Sequence, residues 1–478
     1  MKLVGFFFFV LVFSASAVSA QSNDEGLAFL QLNFFNPGAR SLAMGGAFVG
    51  MADDATAALA NPAGMTVLIR PEFSVEFSAT NYKNEIPWTS GSQSFDVETD
   101  ILGNIITREF NFQNNFGAAD FSNTVSNLSF ASFVYPAIKN KFVISGFYNE
   151  QTKFEREFLT TGYDRIVRSV NGVDCNGNCG LGPDDILNSF FATDTTLQFK
   201  IRNFGASLAV GLGSYVNLGV TLTSSKLEVD SNTLRLNTDN SSNNRESLTG
   251  DDRQFSYSLG ALLKPSEKFS FGFVYTHRPE FDVTSSTATF NLDGSVFKEV
   301  TTNPTFRIPD NYAFGVSVRP SDRFALNFDV NQIMYSQLND GYYNAFFFGT
   351  DTPSPLNNKT DFNKNDLEVE DGTEVRFGGE YAVSLGSHPF FIRAGYWHEP
   401  FHSNISTAED SAQQLLFDAN GLPANEVTAD PFFSRSLKKD YHHVSFGTGI
   451  GLGQVTIDWA YDYSKNFKRF ILSTNFHL

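Results

Sequence analysis

Past residue 20 the chain holds no apolar run long enough to cross a bilayer as a helix, which takes about 20 residues. Basic residues are scarce. Against 52 Asp and Glu stand only 34 Lys and Arg, and the formal net charge of −18 excludes a nucleic-acid partner, because a phosphate backbone selects basic patches. There are only 2 cysteines, so no cysteine-rich metal spacing exists, and neither a nucleophile elbow nor a phosphate loop is found. His442 and His443 are neighbours in a strand-like stretch and point to opposite faces, so they cannot share a metal. His398, Glu399 and His402 straddle a strand end and suit a metal no better. No serine and histidine stand out as the pair that a barrel phospholipase needs. We therefore expect no enzyme, no metal and no cofactor.

What the chain does have is phenylalanine, 52 residues, and glycine, 37, spread through segments that alternate apolar and polar side chains. Phe73, Val75, Phe77 and Ala79 alternate with Ser74, Glu76, Ser78 and Thr80. Tyr312, Phe314, Val316 and Val318 oppose Asn311, Ala313, Gly315 and Ser317. Val375, Phe377, Gly379 and Tyr381 oppose Glu374, Arg376, Gly378 and Glu380, and Val455, Ile457, Trp459 and Tyr461 oppose Thr456, Asp458, Ala460 and Asp462. Charged residues opposite an apolar row indicate a polar interior and lipid outside. A two-sheet sandwich would instead hide the apolar row in a core.

The connections decide between the two. Tight turns at residues 137–140, 211–214, 264–267, 319–322, 385–387 and 451–453 alternate with long polar stretches near 84–125, 153–194, 231–252, 279–308, 339–372 and 400–439. That asymmetry suits a transmembrane antiparallel β-barrel of about fourteen strands, with short turns in one compartment and long loops in the other. The last segment ends Phe470-Ile-Leu-Ser-Thr-Asn-Phe-His-Leu478, a strand with an apolar terminal residue. One segment is irregular. Leu197, Phe199 and Ile201 share one parity while Phe204, Ala206, Leu208 and Val210 share the other, which predicts a bulge near Arg202-Asn203.

The first 71 residues follow other rules. Met1-Lys2, the apolar stretch Leu3 to Phe13 and the small residues Ser14 to Ala20 read as a signal peptide over 1–20. Residues 21–71 form a separate N-terminal unit, and 72–478 the barrel. Gly38 to Met65 is rich in Ala and Gly; Asp53 or Asp54 would cap a short helix over Ala55–Ala60, and Asn61-Pro62 would end it. Small residues suit a hatch folded inside a narrow lumen, the alternative being a periplasmic extension. Cys175 and Cys179 lie four apart in an exported loop and would close a small disulfide. Asp174, Asn176, Asn178 and Asp185 also approach calcium-loop spacing, with Cys179 where Gly is needed and Asp185 where Glu is needed.

The stretch Gly38–Met65, with Ala52-Asp53-Asp54-Ala55 and Asn61-Pro62-Ala63, resembles the N-terminal hatch of the FadL/TodX family. Ile308–Asp322, Glu374–Tyr381 with Ile392–Tyr396, and His443–Ile450 with Asp458–Tyr461 resemble the same family in the same order. The resemblance implies a fourteen-stranded outer-membrane barrel that takes up hydrophobic molecules, long-chain fatty acids in the first place, with an aromatic hydrocarbon or another lipid as the alternative cargo. It also implies a monomer, a hatch gated at Asp53, Asp54, Asn61, Pro62 and Ala63, a pocket under the loops beside the hatch, and release by hatch movement, often sideways. Phe29, Leu30 and Leu32 would line that pocket. Two other classes remain: a general diffusion porin, and a secretion-system accessory barrel sharing this type of N-terminus.

Among loops, the cluster Tyr342-Tyr343-Asn-Ala-Phe346-Phe347-Phe348 is the most apolar and would collect hydrophobic ligand across the lipopolysaccharide layer; loop–loop packing is the alternative. Phe432-Phe433 is a second candidate. Arg376 and Arg393 are predicted to point inward, where they would pair with a ligand carboxylate or neutralise Glu374, Glu380 and Glu399. The expected partners are therefore a hydrophobic small molecule, outer-membrane lipid and lipopolysaccharide.

Overall fold

The computed structural model describes residues 32–85, 120–159, 163–166, 187–190, 192–236, 242–290, 294–303, 305–338, 367–402, 405–406 and 438–478. The stretch 1–20 read as a signal peptide, together with Phe29, Leu30, Cys175, Cys179, Phe346, Phe347, Phe348, Phe432 and Phe433, lies outside these residues. Fourteen antiparallel strands close into one barrel. In chain order they are β1 (Glu72–Glu85), β2 (Asp120–Ile138), β3 (Phe142–Leu159), β4 (Ala192–Leu212), β5 (Val216–Leu236), β6 (Ser242–Ser266) and β7 (Phe269–His277). Then follow β8 (Asn311–Ser321), β9 (Phe324–Ile333), β10 (Gly372–Leu385), β11 (His388–Glu399), β12 (Tyr441–Leu452), β13 (Val455–Tyr463) and β14 (Phe467–His477). Each pairs with its sequence neighbour, and β14 returns to β1 with Thr474 opposite Val75.

The period-two pattern sorts as lipid outside and polar inside. On β1, Phe73 and Phe77 are exposed, whereas Glu72, Ser74, Glu76, Ser78 and Thr80 are buried in the lumen. Phe377 and Tyr381 of β10 face out while Glu374, Arg376 and Glu380 face in. The six tight turns stand where the sequence places them, all at one end. The strict alternation fails at its last step: β13 and β14 are joined at the opposite end by residues 464–466, closed by Ser464 N–H donating to Phe467 O at 2.8 Å.

The wall is not of even height. β6 has 25 residues, about 80 Å at ~3.3 Å each, against an apolar band of about 25 Å. β7 and β13 have 9 each. Beside β6 the hairpin Thr284–Phe290 and Val296–Thr302 extends the tall side further. Much of the polar sequence expected as loop near 231–252 and 279–308 is therefore strand. Above the membrane a strand needs no outward apolar row, so its periodicity is lost.

Residues 32–71 run through the bore. Helix α1 (Ala39–Ala43) packs on β11 to β14, and helix α2 (Ala57–Ala60) with the 3-10 turn Pro62–Val67 packs on β2 to β6. The α2 helix is shorter than Ala55–Ala60, and its N-cap is Thr56 rather than Asp53 or Asp54. Asp54 Oδ1 accepts from Thr56 N–H at 2.9 Å and from Thr56 Oγ1 at 2.5 Å, a local turn that replaces the first helical turn. Gly378 and Gly395, opposite one another on β10 and β11, form a flat seat for the Met44–Gly45 backbone, where any Cβ would collide.

Candidate ligand site and hatch contacts

β4 has no phase slip. Its register with β5 is unbroken from Ala192 opposite Leu236 to Leu212 opposite Val216. Leu197, Phe199 and Ile201 point inward and are buried, whereas Phe204, Leu208 and Val210 point outward and are exposed. What changes at Arg202-Asn203 is which side of the wall is apolar. The irregularity belongs to the neighbouring strand, where the β3 register with β4 shifts between Glu150 and Thr152.

The inward row of β4 belongs to an apolar core in the outer half of the lumen. Phe154, Leu227, Val229, Leu248, Phe281, Phe306, Ile308, Ile333 and Tyr335 are among its other members, together with Leu32 from the N-terminal segment. Leu32 is fully enclosed there, and Phe34 and Tyr82 pack against the edge.

Two aromatic residues anchor the segment that carries Leu32. Phe34 lies with Arg278 Cζ 3.9 Å from its ring centroid and Tyr335 at 6.4 Å, and Arg376 Nη2 donates to its carbonyl at 2.9 Å. Phe35 stacks on Phe467 at 5.5 Å, meets Trp397 edge-on at 5.5 Å and sits 4.7 Å from Arg469 Cζ. Arg278 follows β7 at the core's rim. Its Nη2 donates to Asn311 Oδ1 at 3.1 Å and its Nε has no partner; among the described residues it forms no ion pair. Burial lowers its pKa to about 10, against the pull of Asp310, so it stays cationic at neutral pH.

The inward arginines meet wall acids. Arg376 Nη2 lies 2.5 Å from Glu374 Oε2, and Arg393 reaches Glu380 and Asp458, both at 2.6 Å. Glu399 instead accepts from His443, which also meets Asp462 at 2.7 Å; His442 faces outward. Arg40 carries this network into the hatch. It donates Nε and Nη2 to Glu380 at 2.8 and 2.9 Å and Nη1 to Asp53 at 2.7 Å, with Asp54 at 3.6 Å. Asp53 in turn pairs with Arg319 of β8 at 2.5 Å. Burial works against the Arg40 charge, but Asp53, Glu380 and Asp54 raise its pKa above the ordinary arginine value. Burial raises Asp54, with Arg40 opposing.

Asn61 ties the other end of the hatch to the wall. Its Oδ1 accepts from Ala63 N–H at 3.2 Å, and its Nδ2 donates to Val49 O at 2.9 Å and to Ala261 O of β6 at 3.2 Å. Pro62 opens the 3-10 turn, where a missing N–H does no harm. Sequence reasoning missed Arg40 and Arg278. Arg40 had a signal, as the one charged residue between Gly38 and Ala52; Arg278 had none.

The wall has a seam beside the apolar core. β2 and β3 pair from Ile138 opposite Phe142 up to Phe130 opposite Asn149, and among the described residues no ladder joins Asp120–Ser129 to Glu150–Leu159. Side chains bridge the gap: Asn127 Nδ2 donates to Glu150 Oε1 at 2.5 Å, and Asn123 Nδ2 to Glu155 O at 2.9 Å. Phe154 stands just inside.

Comparison with known proteins agrees with this architecture. Residues 185–411 match the family described as outer membrane protein transport protein (OMPP1/FadL/TodX). A FadL homologue of Pseudomonas aeruginosa superposes with a TM-score of 0.57 at 14% identity, covering 93% of this chain and 99% of its own. The toluene transporter TodX of P. putida gives 0.52 at 13% identity, with 93% and 99% covered. For the toluene transporter TbuX of Ralstonia pickettii the values are 0.51, 12%, 94% and 100%. At such identities the structures speak for the fold. No curated protein sequence matches. With the family's sequence pattern over 185–411 and the fold of solved FadL/TodX proteins over nearly the whole chain, this protein is an outer-membrane β-barrel that resembles the FadL/TodX transport family.

Proposed function

We propose that this barrel takes up carboxylated amphiphiles of the long-chain fatty acid kind, and that the lumen core around Phe199, Leu227 and Phe306 is where the acyl chain rests. Outer-loop aromatics at Phe346–Phe348 collect the molecule. The chain then displaces Leu32, exchanging one apolar contact for a longer one at roughly 25 cal/mol per Å² of buried surface. As Leu32 leaves, Phe34 withdraws from Arg278 and uncovers a guanidinium with spare donors, which accepts the carboxylate as a charge-assisted pair. Arg376 and Arg393, each held by acids, brace the wall in this scheme.

Displacement of the segment loosens the hatch contacts that begin at Gly38, whose N–H donates to Glu76. The seam between β2 and β3 gives a sideways way out of the core. The protein acts as a monomer. The observation that carries the proposal is Arg278, whose guanidinium forms no ion pair among the described residues and stands at the rim of an apolar lumen core, with only its backbone N–H donating to Asp310.

Native mass spectrometry of the purified barrel tests it. Bound carboxylic amphiphiles are expected, displaceable by added oleate. Neutral hydrocarbon bound in preference to oleate would contradict the carboxylate assignment. An open-channel conductance in planar bilayers would contradict the gated uptake and favour a porin.

A further inference from the structure

Outside the lumen, on the tall side of the wall, three cations stand in one cross-strand row: Arg202 on β4 opposite Lys226 on β5, and Lys226 opposite Arg253 on β6. They continue the outward-facing parity of Phe204, Leu222 and Phe255. We propose that this face binds a phosphorylated, acylated lipid of the outer leaflet, of the lipopolysaccharide type. The proposal rests on the barrel's place in the outer membrane and is independent of the cargo.

Two features fit that ligand together. The acyl part has a shelf, since Phe255 is 76% exposed, Leu222 63% and Phe204 52%, among the most exposed large apolar side chains described. The cationic row stands two residues beyond Phe204 and Phe255, about 7 Å further along the strands, on the side away from the tight turns. A lipid lying along the wall would thus place its chains on the shelf and its phosphates on the row.

The charges of the row are incompletely matched. Glu228 accepts from Arg202 and from Lys226 at 2.9 Å, and Asp251 takes Lys226 at 3.1 Å. Arg253 has only Ser224 Oγ at 3.4 Å and no ion pair among the described residues. Like charges directly opposite on neighbouring strands destabilise a sheet, yet here three cations follow in succession in a chain of net charge −18. Exposed carboxylate pairs are weak, so a phosphate offering bidentate acceptance to Arg202 and Arg253 can outbid them. Glu150 stands opposite Arg202 in the same row and pairs with Lys200 at 3.3 Å, so four cations face three carboxylates and, among the described residues, Arg253 is the charge left over for a phosphate.

The test is native mass spectrometry of the intact barrel in detergent, titrated with diphosphorylated lipid A and with its dephosphorylated form. Wild type should bind the diphosphorylated lipid ~10-fold or more tighter, a free-energy difference of about 1.4 kcal/mol. Arg202→Gln with Arg253→Glu should erase that preference, while heat-modifiable gel migration and oleate binding stay unchanged. Arg253→Gln alone, which breaks no ion pair, should reduce the preference without touching assembly. Equal affinity of wild type for the two lipids overturns the proposal, as does a preference that survives in the double variant. Complete displacement of lipid by millimolar inorganic phosphate would show a free-anion site and overturn the lipid assignment.

Discussion

Arg40 of the lumen segment grips Glu380 of the wall through two parallel hydrogen bonds, Nε to Oε2 at 2.8 Å and Nη2 to Oε1 at 2.9 Å. The same guanidinium holds Asp53, so one side chain links the hatch to itself and to β10. Arg40→Ala removes the cation and leaves Asp53 and Glu380 to Arg319 and Arg393. Breaking a buried pair costs about 3–5 kcal/mol, and partial solvent access here lowers that to roughly 1–3. The expected result is faster hydrogen exchange over residues 38–65 and a higher planar-bilayer conductance, with barrel assembly intact. Unchanged exchange would show that Arg40 does not latch the hatch.

Leu32 fills the lumen core that we assign to cargo. Leu32→Ala deletes a well-packed side chain, which typically destabilises by about 2–5 kcal/mol and leaves space. A ligand that competes with Leu32 should then bind at least ~10-fold more tightly, as read by oleate titration. Weaker binding would mean that Leu32 touches the ligand instead of yielding to it.

Arg278 is the residue that the proposed function expects to distinguish acids from hydrocarbons. Arg278→Gln should weaken oleate binding by about 10-fold or more, as expected for loss of a hydrogen bond to a charged group. Oleyl alcohol should be affected little. Equal losses for both would indicate that Arg278 matters through Phe34 packing alone.

Asp54 responds to pH in the direction set by burial. Its pKa in the folded hatch is raised, so the folded state binds this proton more readily than the unfolded chain. This group therefore favours folding as pH falls through the raised value and opposes it above. Asp54→Asn keeps the Oδ1 acceptor for Thr56, and should leave thermal stability equal or higher at pH 7 and level with wild type at pH 4. A lower midpoint at pH 7 would mean that the charge on Asp54 holds the hatch through Arg40.

The seam can be tied. Asn127→Cys with Glu150→Cys, bridged by a short bifunctional thiol reagent, joins the upper parts of β2 and β3, which among the described residues no backbone ladder connects. Uptake of a labelled fatty acid into proteoliposomes should fall several-fold and return when a cleavable bridge is cut. Full uptake with the bridge in place would close the sideways route.

The lipid-facing wall was legible because a strand between lipid and water must alternate, as at Phe73 to Thr80. The hatch was legible from its small residues, and the wall glycines that seat it, Gly378 and Gly395, lie in blocks the sequence singles out. The apolar lumen core was half visible. The parity change after Ile201 was a true signal, but it marked the transfer of the apolar face from lipid to lumen, whereas a bulge is only the local way to obtain the same pattern. Arg278 and Phe34 meet across a sequence separation that no period encodes. The last hairpin, β13 to β14, escaped because three residues at 464–466 suffice to turn the chain where long loops were the rule.

The most direct measurement is photo-labelling with a fatty acid carrying a diazirine at its ω end, followed by peptide mapping. The account predicts adducts on inward residues of the outer lumen, such as Phe199, Leu227, Phe306 and Ile333, suppressed by excess oleate. Adducts confined to outward residues such as Phe204 and Leu222, insensitive to oleate, would contradict a cargo site inside the barrel.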